Sequence, residues 1–255
     1  MANKETLGIG LLFTWALVVA STIFWLGPIP QNMQYHHFAD TERYLALPNA
    51  LNVISNLPLI WLGISGFLAF SRGENKTLQI VRSNLLAYRL LFLSVALAGF
   101  GSSYYHLEPS NDALLWDRLP IAMGFMSLFS IVIAEYISVA VGRRLLWPLV
   151  VVGALSVFYW WSSESMGAGD LRPYLLVQFL PILTLPIVLL CFKTDYVAAS
   201  RYWLLLACYV LAKLFEHFDY QIYELSGVIS GHTLKHLMPV LGLWFPLKAY
   251  QKEQV

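Results

Sequence analysis

Long apolar stretches alternate with short polar connections along the chain, and this pattern is typical of a multi-pass membrane protein. A helix that crosses the hydrocarbon core of a bilayer needs roughly 20 mostly apolar residues. Stretches of this kind recur at about 7–26, 49–70, 84–105, 118–139, 145–161, 172–192, 202–219 and 232–249. The pattern therefore predicts an all-α transmembrane helix bundle that forms a single integral-membrane domain over residues 1–255.

The composition agrees with a membrane location. Apolar residues make up 58% of the chain and charged residues 12%, with a mean hydropathy of +0.62. Soluble domains carry about 25% charged residues. The net charge is only +1, whereas a protein that binds nucleic acid is expected to carry a basic stripe or patch. The bilayer is therefore a predicted partner, and nucleic acid is not.

The first apolar stretch has two interpretations. A cleaved signal peptide has a short apolar region followed by a cleavage site of small residues. The run from Leu7 to Leu26 is longer than such a region, and no clear small-x-small pattern precedes the Gly-Pro pair that follows it. We interpret residues 7–26 as a retained anchor, an extra N-terminal helix beside a seven-helix core at 49–249.

Positive charges in the connections predict the orientation, because cytoplasmic loops carry an excess of Lys and Arg. With eight spans, the side that holds the N-terminus collects Lys4, Arg72, Lys76, Arg82, Arg143, Arg144, Lys193, Arg201, Lys248 and Lys252. The opposite side collects Arg43, Arg118 and Arg172. This bias of ten against three predicts that both termini are cytoplasmic.

Three histidines lie at the ends of apolar stretches. His232 and His236 open the last stretch, and His106 closes the third. Residues i and i+4 of a helix project from one face. Two such imidazoles and a distant third match a catalytic zinc site, in which three protein ligands leave one position for water. The simpler alternative is that each histidine is an interfacial polar residue at a helix end.

The predicted topology brings these histidines to one face of the membrane. The third helix would end at His106 on the extracytoplasmic side, and the fourth would begin there beside Asp117. The eighth helix would begin on the same side, at His232 and His236. Ionisable groups at membrane depth are costly and tend to be functional. We therefore expect a zinc centre toward the extracytoplasmic side, and we expect His36, in the first loop, to be solvated.

The spacing of the polar residues resembles the signature of a known family. Ser102 lies four residues before His106, Asp117 lies eleven residues after it, and the histidine pair follows near the end. This order is similar to that of the alkaline ceramidase family, which belongs with adiponectin-receptor-like proteins to a group of seven-helix membrane hydrolases. A further match is the run Asn-Val-Ile-Ser-Asn-Leu-Pro at 52–58, and the resemblance covers about 40–245.

The resemblance implies a zinc-dependent hydrolase that cleaves the N-acyl bond of ceramide-like lipids to a sphingoid base and a fatty acid. Asp117 would take the proton of the attacking water and deliver it to the leaving nitrogen, as a general acid-base group does. Ser102 would donate a hydrogen bond to the developing oxyanion. A small residue at this position could instead serve close helix packing.

The family also carries a calcium site, built from an acidic N-terminal loop and a glutamate at the start of its first core helix. The corresponding residues here are Asp40, Glu42 and Asn49, which stands where the glutamate is expected. The family's Asp-Trp-x-Glu-x-Asn pattern is absent. Calcium takes six to eight oxygen ligands, so calcium binding and a solvated acidic loop that pairs with Arg43 are both open.

Two other classes of function are open. A lipid-sensing receptor on the same scaffold would hold zinc only structurally, but a structural zinc is normally closed by a fourth protein ligand. A transporter of zinc or protons would line a path with His and Asp side chains, but the sequence contains no evident inverted repeat. Hydrolysis of a lipid amide is therefore the expected function.

Overall fold

The computed structural model describes residues 2–71 and 80–250. Within these residues the chain forms helices and no β-strand, which confirms the all-α prediction. The helices are α1 (Ala2–Trp25), α2 (Ala50–Ile54), α3 (Leu57–Ser71), α4 (Leu85–Leu107), α5 (Asn111–Tyr136), α6 (Val139–Ser165), α7 (Arg172–Cys191), α8 (Ala199–His217), α9 (Asp219–Ser226) and α10 (Gly231–Tyr250). Short 3-10 helices cover Met33–His36 and Arg82–Asn84.

Six helical segments of the described chain are long and apolar enough to cross a membrane. They are Lys4–Trp25, Ala50–Ser71, Arg82–Leu107, Asn111–Tyr136, Val139–Ser165 and Arg172–Cys191. These segments indicate a multi-pass integral membrane protein. Helices α8 and α10 lie where the last two spans are predicted, but they are more polar and are not among the six.

The long helices from α3 to α10 form a closed bundle. Each of α3 to α6 packs along the next helix in the chain, α7 contacts α5 and α6, and α10 packs against both α8 and α3. Helix α1 lies outside and contacts α7, where the Trp15 indole donates a hydrogen bond to the carbonyl oxygen of Leu183 over 3.1 Å. On its other face Phe13 is 75% exposed and Leu17 is 69% exposed. Extensive exposed apolar surface of this kind marks contact with lipid.

Helices α5 and α6 begin earlier than the apolar pattern predicts. The hydroxyl oxygen of Ser110 accepts a hydrogen bond from the N–H of Ala113 over 3.2 Å, and that of Ser138 accepts one from the N–H of Val141 over 3.4 Å. Serine is a favoured residue at this capping position, because its side chain satisfies an N–H that the helix leaves free. As a result Asp117 lies inside the second turn of α5, and not before the helix.

The same early start corrects the count of positive charges. Arg118 lies in α5 and is only 6% exposed, so it is not a residue of a connecting loop. Removing it lowers the extracytoplasmic count and leaves the direction of the bias unchanged. Three of the residues counted on the predicted cytoplasmic side, Arg72, Lys76 and Lys252, lie outside the described residues.

A close crossing of α4 and α5 positions two of the candidate residues. The Cα of Gly101 lies so near the backbone of Trp116 and Asp117 that an added Cβ would collide with the carbonyl oxygen of Trp116. A glycine at such a crossing lets two helix backbones approach closely. Ser102, the next residue of α4, therefore lies on the helix segment that packs against the segment bearing Asp117.

A buried hydrogen-bonded network joins four helices at the opposite end of the bundle from the histidines. The carboxylate of Glu135 in α5 accepts hydrogen bonds from the hydroxyls of Tyr88 over 2.6 Å and Tyr202 over 2.7 Å. The Tyr202 hydroxyl also lies 2.8 Å from that of Tyr250. These residues belong to α4, α5, α8 and α10, so the network holds together the helices that carry the site at their other ends.

Candidate metal centre

The three candidate histidines meet in a buried cluster. His106 lies in the last turn of α4, and His232 and His236 lie in the first two turns of α10. The Nε2 atom of His106 is 3.2 Å from that of His236 and 3.3 Å from that of His232. Their exposed fractions are 1%, 4% and 6% in chain order. All the ligand atoms lie within 4.8 Å of one another, so the cluster could hold a metal ion.

The spacing of the nitrogens fits a metal with nitrogen ligands. Zinc bound tetrahedrally at about 2.0–2.1 Å separates its ligand nitrogens by about 3.3–3.4 Å. The two measured separations, 3.2 and 3.3 Å, are close to this value. A hydrogen bond explains such a contact only if one nitrogen carries a proton, and the Nε2 atom of His106 faces two partners at once. A metal ion bound by the lone pairs of all three nitrogens would explain these short distances without a proton between them. Imidazole is a suitable ligand for zinc, copper, iron or nickel.

The hydrogen bonds of Ser55 orient His236 for metal binding. The Ser55 hydroxyl donates to the carbonyl oxygen of Asn52 over 3.1 Å, so its oxygen is free to accept a hydrogen bond from Nδ1–H of His236 over 2.8 Å. With the proton fixed on Nδ1, the lone pair of Nε2 points to the other two imidazoles. A partner on the distal ring nitrogen is a common feature of histidine ligands.

Asp219 at the start of α9 fixes the beginning of α10. One of its carboxylate oxygens accepts a hydrogen bond from the backbone N–H of His232 over 2.7 Å, and the other accepts one from the N–H of Ala39 over 2.9 Å. Gly231 sits against the same corner, where an added Cβ would collide with the carbonyl oxygen of Phe215. The corner therefore sets where the histidine pair enters the bundle.

Phe38 covers the cluster from the N-terminal loop. Its ring centroid lies 4.6 Å from that of His106 and 4.6 Å from that of His232, and its side chain is 5% exposed. An apolar ring here limits the access of water to the imidazoles. A dry surrounding strengthens the interaction of a bound cation with its ligands.

Replacing Ser55 with alanine is expected to weaken metal binding by about 10–100-fold, because His236 loses the group that fixes its tautomer and ring orientation. The measurement is competition for zinc between the purified variant and a chelator of known affinity. Ser103→Ala is the matched control, since that hydroxyl donates to the carbonyl oxygens of Gly99 and Val53 and not to a histidine. Equal zinc affinity in the two variants would contradict the role of Ser55.

The other two predicted catalytic residues lie on the helices next to the cluster. Ser102 is 6% exposed and lies one turn before His106 on α4. Asp117 is half-buried on α5, where the close crossing at Gly101 brings it against α4. The chemical roles of both side chains remain predictions.

The residues predicted to bind calcium lie near the cluster. Asp40 is fully buried, and its Oδ1 accepts a hydrogen bond from the N–H of Glu42 over 3.0 Å. Its Oδ2 has no hydrogen-bond partner within the described ranges. Burial raises the pKa of the Asp40 carboxyl above its ordinary value. Asn49, with a left-handed backbone (φ 46°), donates its side-chain N–H to the carbonyl oxygen of His106 over 2.8 Å. In the described residues no ion pair joins Arg43 to either carboxylate, and calcium binding stays a prediction.

The expectation that His36 is solvated is wrong. Its ring is buried, with Nδ1 2.9 Å from the hydroxyl of Tyr105 and Nε2 3.0 Å from the side-chain oxygen of Asn111. Burial lowers the pKa of this imidazole below its ordinary value. The residue ties the N-terminal loop to the ends of α4 and α5, a contact between distant parts of the chain that no local pattern predicts.

A charged group beside the cluster was not predicted from the sequence. Glu216 in α8 accepts hydrogen bonds from the ammonium groups of Lys213 and Lys235, each over 2.7 Å, and from the Tyr35 hydroxyl over 3.3 Å. Lys235 immediately precedes His236. The spacing of Lys213 and Glu216 could have indicated an i, i+3 pair, but the partner on α10 is set by tertiary packing.

Comparison of the chain with protein-family models, with curated proteins and with solved structures found no match.

Proposed function

We propose that this protein is a zinc-dependent membrane amidase that hydrolyses the N-acyl bond of ceramide-like sphingolipids to a sphingoid base and a fatty acid. The observation that carries the proposal is the buried cluster of three histidine nitrogens, with the helix segment of Asp117 packed against that of Ser102. A bound zinc would lower the pKa of a coordinated water toward ~7 and polarise the amide carbonyl. The resemblance to the alkaline ceramidases supports the same assignment.

In this proposal the protein side chains have separate tasks. Asp117 removes a proton from the water that attacks the carbonyl carbon and delivers it to the amide nitrogen as the C–N bond breaks. The products are a carboxylic acid and a free amine, so the atoms of one amide and one water are accounted for. Ser102 donates a hydrogen bond to the carbonyl oxygen as negative charge develops on it. Phe38 limits access of other water molecules to the imidazoles.

Two features favour an enzyme over a receptor or a transporter. A structural zinc is normally closed by four protein ligands, whereas the described residues bring three metal-binding side chains together. The three ligands also lie at one end of the bundle, at the end of α4 and the start of α10, and do not form a path along it. A substrate held in the bilayer is consistent with a protein whose helices expose so much apolar surface.

The proposal includes a seven-helix core made of α3 to α8 and α10, with α1 as an addition at its outer surface. Both termini would lie in the cytoplasm, and the metal centre would lie toward the extracytoplasmic face. The excess of Lys and Arg on the predicted cytoplasmic side supports this orientation.

Labelling of introduced cysteines tests the orientation. In a background in which Cys191 and Cys208 are replaced by alanine, a cysteine at Asp112 or Glu224 should react with an impermeant thiol reagent added to intact cells. A cysteine at Arg143 should react only after the membrane is permeabilised. All three positions are exposed, so accessibility within the protein does not decide the result. The reverse labelling pattern would overturn the orientation.

The experiment that tests the function is an assay of the purified protein on a panel of lipid amides. Ceramides of different acyl length are incubated with the protein, and the released sphingoid base is quantified by mass spectrometry. We expect release that depends on the protein and on zinc. A preparation that binds zinc stoichiometrically but releases no amine from any amide would contradict the proposal and favour a receptor or transport function.

A further inference from the structure

Among the described residues, Arg118 is a buried cation that has no carboxylate partner. Its side chain lies in the second turn of α5 and is 6% exposed. One guanidinium nitrogen, Nη2, donates to the side-chain oxygen of Gln31 over 2.7 Å, while Nη1 has no hydrogen-bond partner in the part of the chain that the structure describes. No ion pair found within residues 2–71 and 80–250 involves Arg118. A buried charge that lacks an opposite charge is strongly destabilising, so binding of a group that pairs with it would be favoured.

A second unpartnered donor lies beside this guanidinium. The central carbon of the Arg118 guanidinium is 4.2 Å from the ring centroid of Trp160. The indole Nε1 of this fully buried tryptophan also finds no hydrogen-bond partner among the described residues. The rings of Tyr174 and Tyr35 lie 5.0 and 5.5 Å from the same carbon. Aromatic faces stabilise a cation, but they do not replace the acceptor that each free N–H requires.

Two links connect this pair of donors with the candidate metal centre. Arg118 follows Asp117 directly in the chain, and the Tyr35 ring that contacts its guanidinium also lies 5.8 Å from the ammonium nitrogen of Lys235. Lys235 in turn precedes His236. The donors are therefore connected to the centre through Asp117 and through the Tyr35 ring and Lys235.

With a metal bound, the charges around this region favour an anion. The charged neighbours of Asp117 are three cations, Arg118, Lys213 and Lys235, and one carboxylate, Glu216. Glu216 already pairs with both lysines, so it supplies no acceptor to Arg118. Two more carboxylates lie nearby, Glu164 at the N–H of Gln31 and Asp219 at the N–H of His232. These seven groups sum to −1, and a divalent metal at the histidines would bring the total to +1. A guanidinium N–H and an indole N–H together can bind the two oxygens of one oxyanion.

We propose that Arg118 and Trp160 form a subsite for an oxyanion, a carboxylate or a phosphate, carried by the amine part of the lipid amide. The preferred substrates are then acidic lipid amides, in which a long acyl chain is joined to an amine that bears the anionic group. This inference rests on the proposed amidase function for the cleavage step, while the anion subsite itself is independent of any reaction.

A binding measurement tests the subsite without turnover. Two hexadecylsulfonyl amides, one of glycine and one of ethanolamine, cannot be hydrolysed as carboxamides are and differ only in the carboxylate. The zinc-loaded protein should bind the glycine compound at least about tenfold more tightly, and Arg118→Gln should remove this preference. Trp160→Phe keeps the aromatic ring and should reduce the preference by about threefold, while Arg118→Lys should keep part of it. Arg172→Gln, whose cation already pairs with Asp170 over 2.8 Å, is the control that should keep it all.

Turnover measurements separate the subsite from the amidase function. The kcat/KM of N-palmitoylglycine should exceed that of N-palmitoylethanolamine, or that of ceramide 1-phosphate should exceed that of ceramide, and the pair that shows the larger ratio identifies the oxyanion. Cleavage of all four amides at similar kcat/KM, together with equal binding of the two sulfonyl compounds, would overturn the subsite and leave the amidase function standing. Preferred binding of the acid without cleavage of any amide would leave the subsite standing and overturn the amidase function. A third outcome would also overturn the proposal: palmitate binds as tightly as the glycine compound, and the protein shows no preference among the amides. The two donors would then bind the carboxylate of the fatty-acid product.

Discussion

Replacing Asp117 with asparagine is expected to lower the turnover of a ceramide-like amide by about 10²–10⁴-fold, the range typical of a general acid-base group. Asparagine keeps the size of the side chain and its ability to form hydrogen bonds, but it cannot carry the proton from the water to the leaving nitrogen. Asp117 is not a member of the histidine cluster, so zinc content should be unchanged. The measurement combines kcat on a purified lipid amide with elemental analysis of the same sample.

Variants of two neighbouring serines complete this experiment. Ser102→Ala should lower kcat by about 10²–10³-fold through the loss of one hydrogen bond to the oxyanion, again with zinc in place. Ser103→Ala lies on the same turn of α4 and should have little effect on kcat. Near-normal turnover by Asp117→Asn with zinc bound would contradict the hydrolytic mechanism, and a receptor or transport role would then be the better interpretation.

Alanine at any one of the three histidines is expected to abolish stoichiometric zinc binding and, with it, turnover. Two imidazoles cannot hold the ion as three do, and the buried site offers little water to replace the missing ligand. We expect about one zinc per chain in the parent protein and a small fraction of that in His106→Ala, His232→Ala and His236→Ala.

His217→Ala is the matched control for the loss of a histidine near the same end of the bundle. His217 is exposed at the end of α8, and its ring contacts Phe218. Its zinc content should equal that of the parent. Full zinc in all three cluster variants would show that the metal is bound elsewhere.

The convergence of the histidines could be predicted from the sequence because it depends on two robust features. The i, i+4 spacing of His232 and His236 fixes their common face on α10, and the number of apolar stretches between His106 and this pair places all three at the same end of a helical bundle. An error of a few residues in a helix boundary does not change either feature. The described structure confirms that the three side chains form one buried cluster.

Other parts of the site depend on contacts that an apolar pattern does not contain. Because Ser110 caps α5, the helix begins before the predicted start at residue 118. Arg118, which was predicted to lie in a loop, is therefore a buried residue of the helix. The bond from Ser55 to His236 joins parts of the chain that are far apart in sequence. The burial of His36 has the same origin. The Ser110 cap is a local signal that lies outside the apolar pattern, whereas the other two features come from tertiary packing, which local sequence cannot determine.

The most direct test of the central claim is a zinc titration of the metal-free protein in which ceramide hydrolysis is measured at each addition. We expect no release of sphingoid base without zinc. Turnover should then increase with added zinc until about one zinc is bound per chain. In His236→Ala the same titration should give no turnover. Full turnover in the absence of zinc, or one equivalent of bound zinc with no hydrolysis of any lipid amide, would contradict the claim.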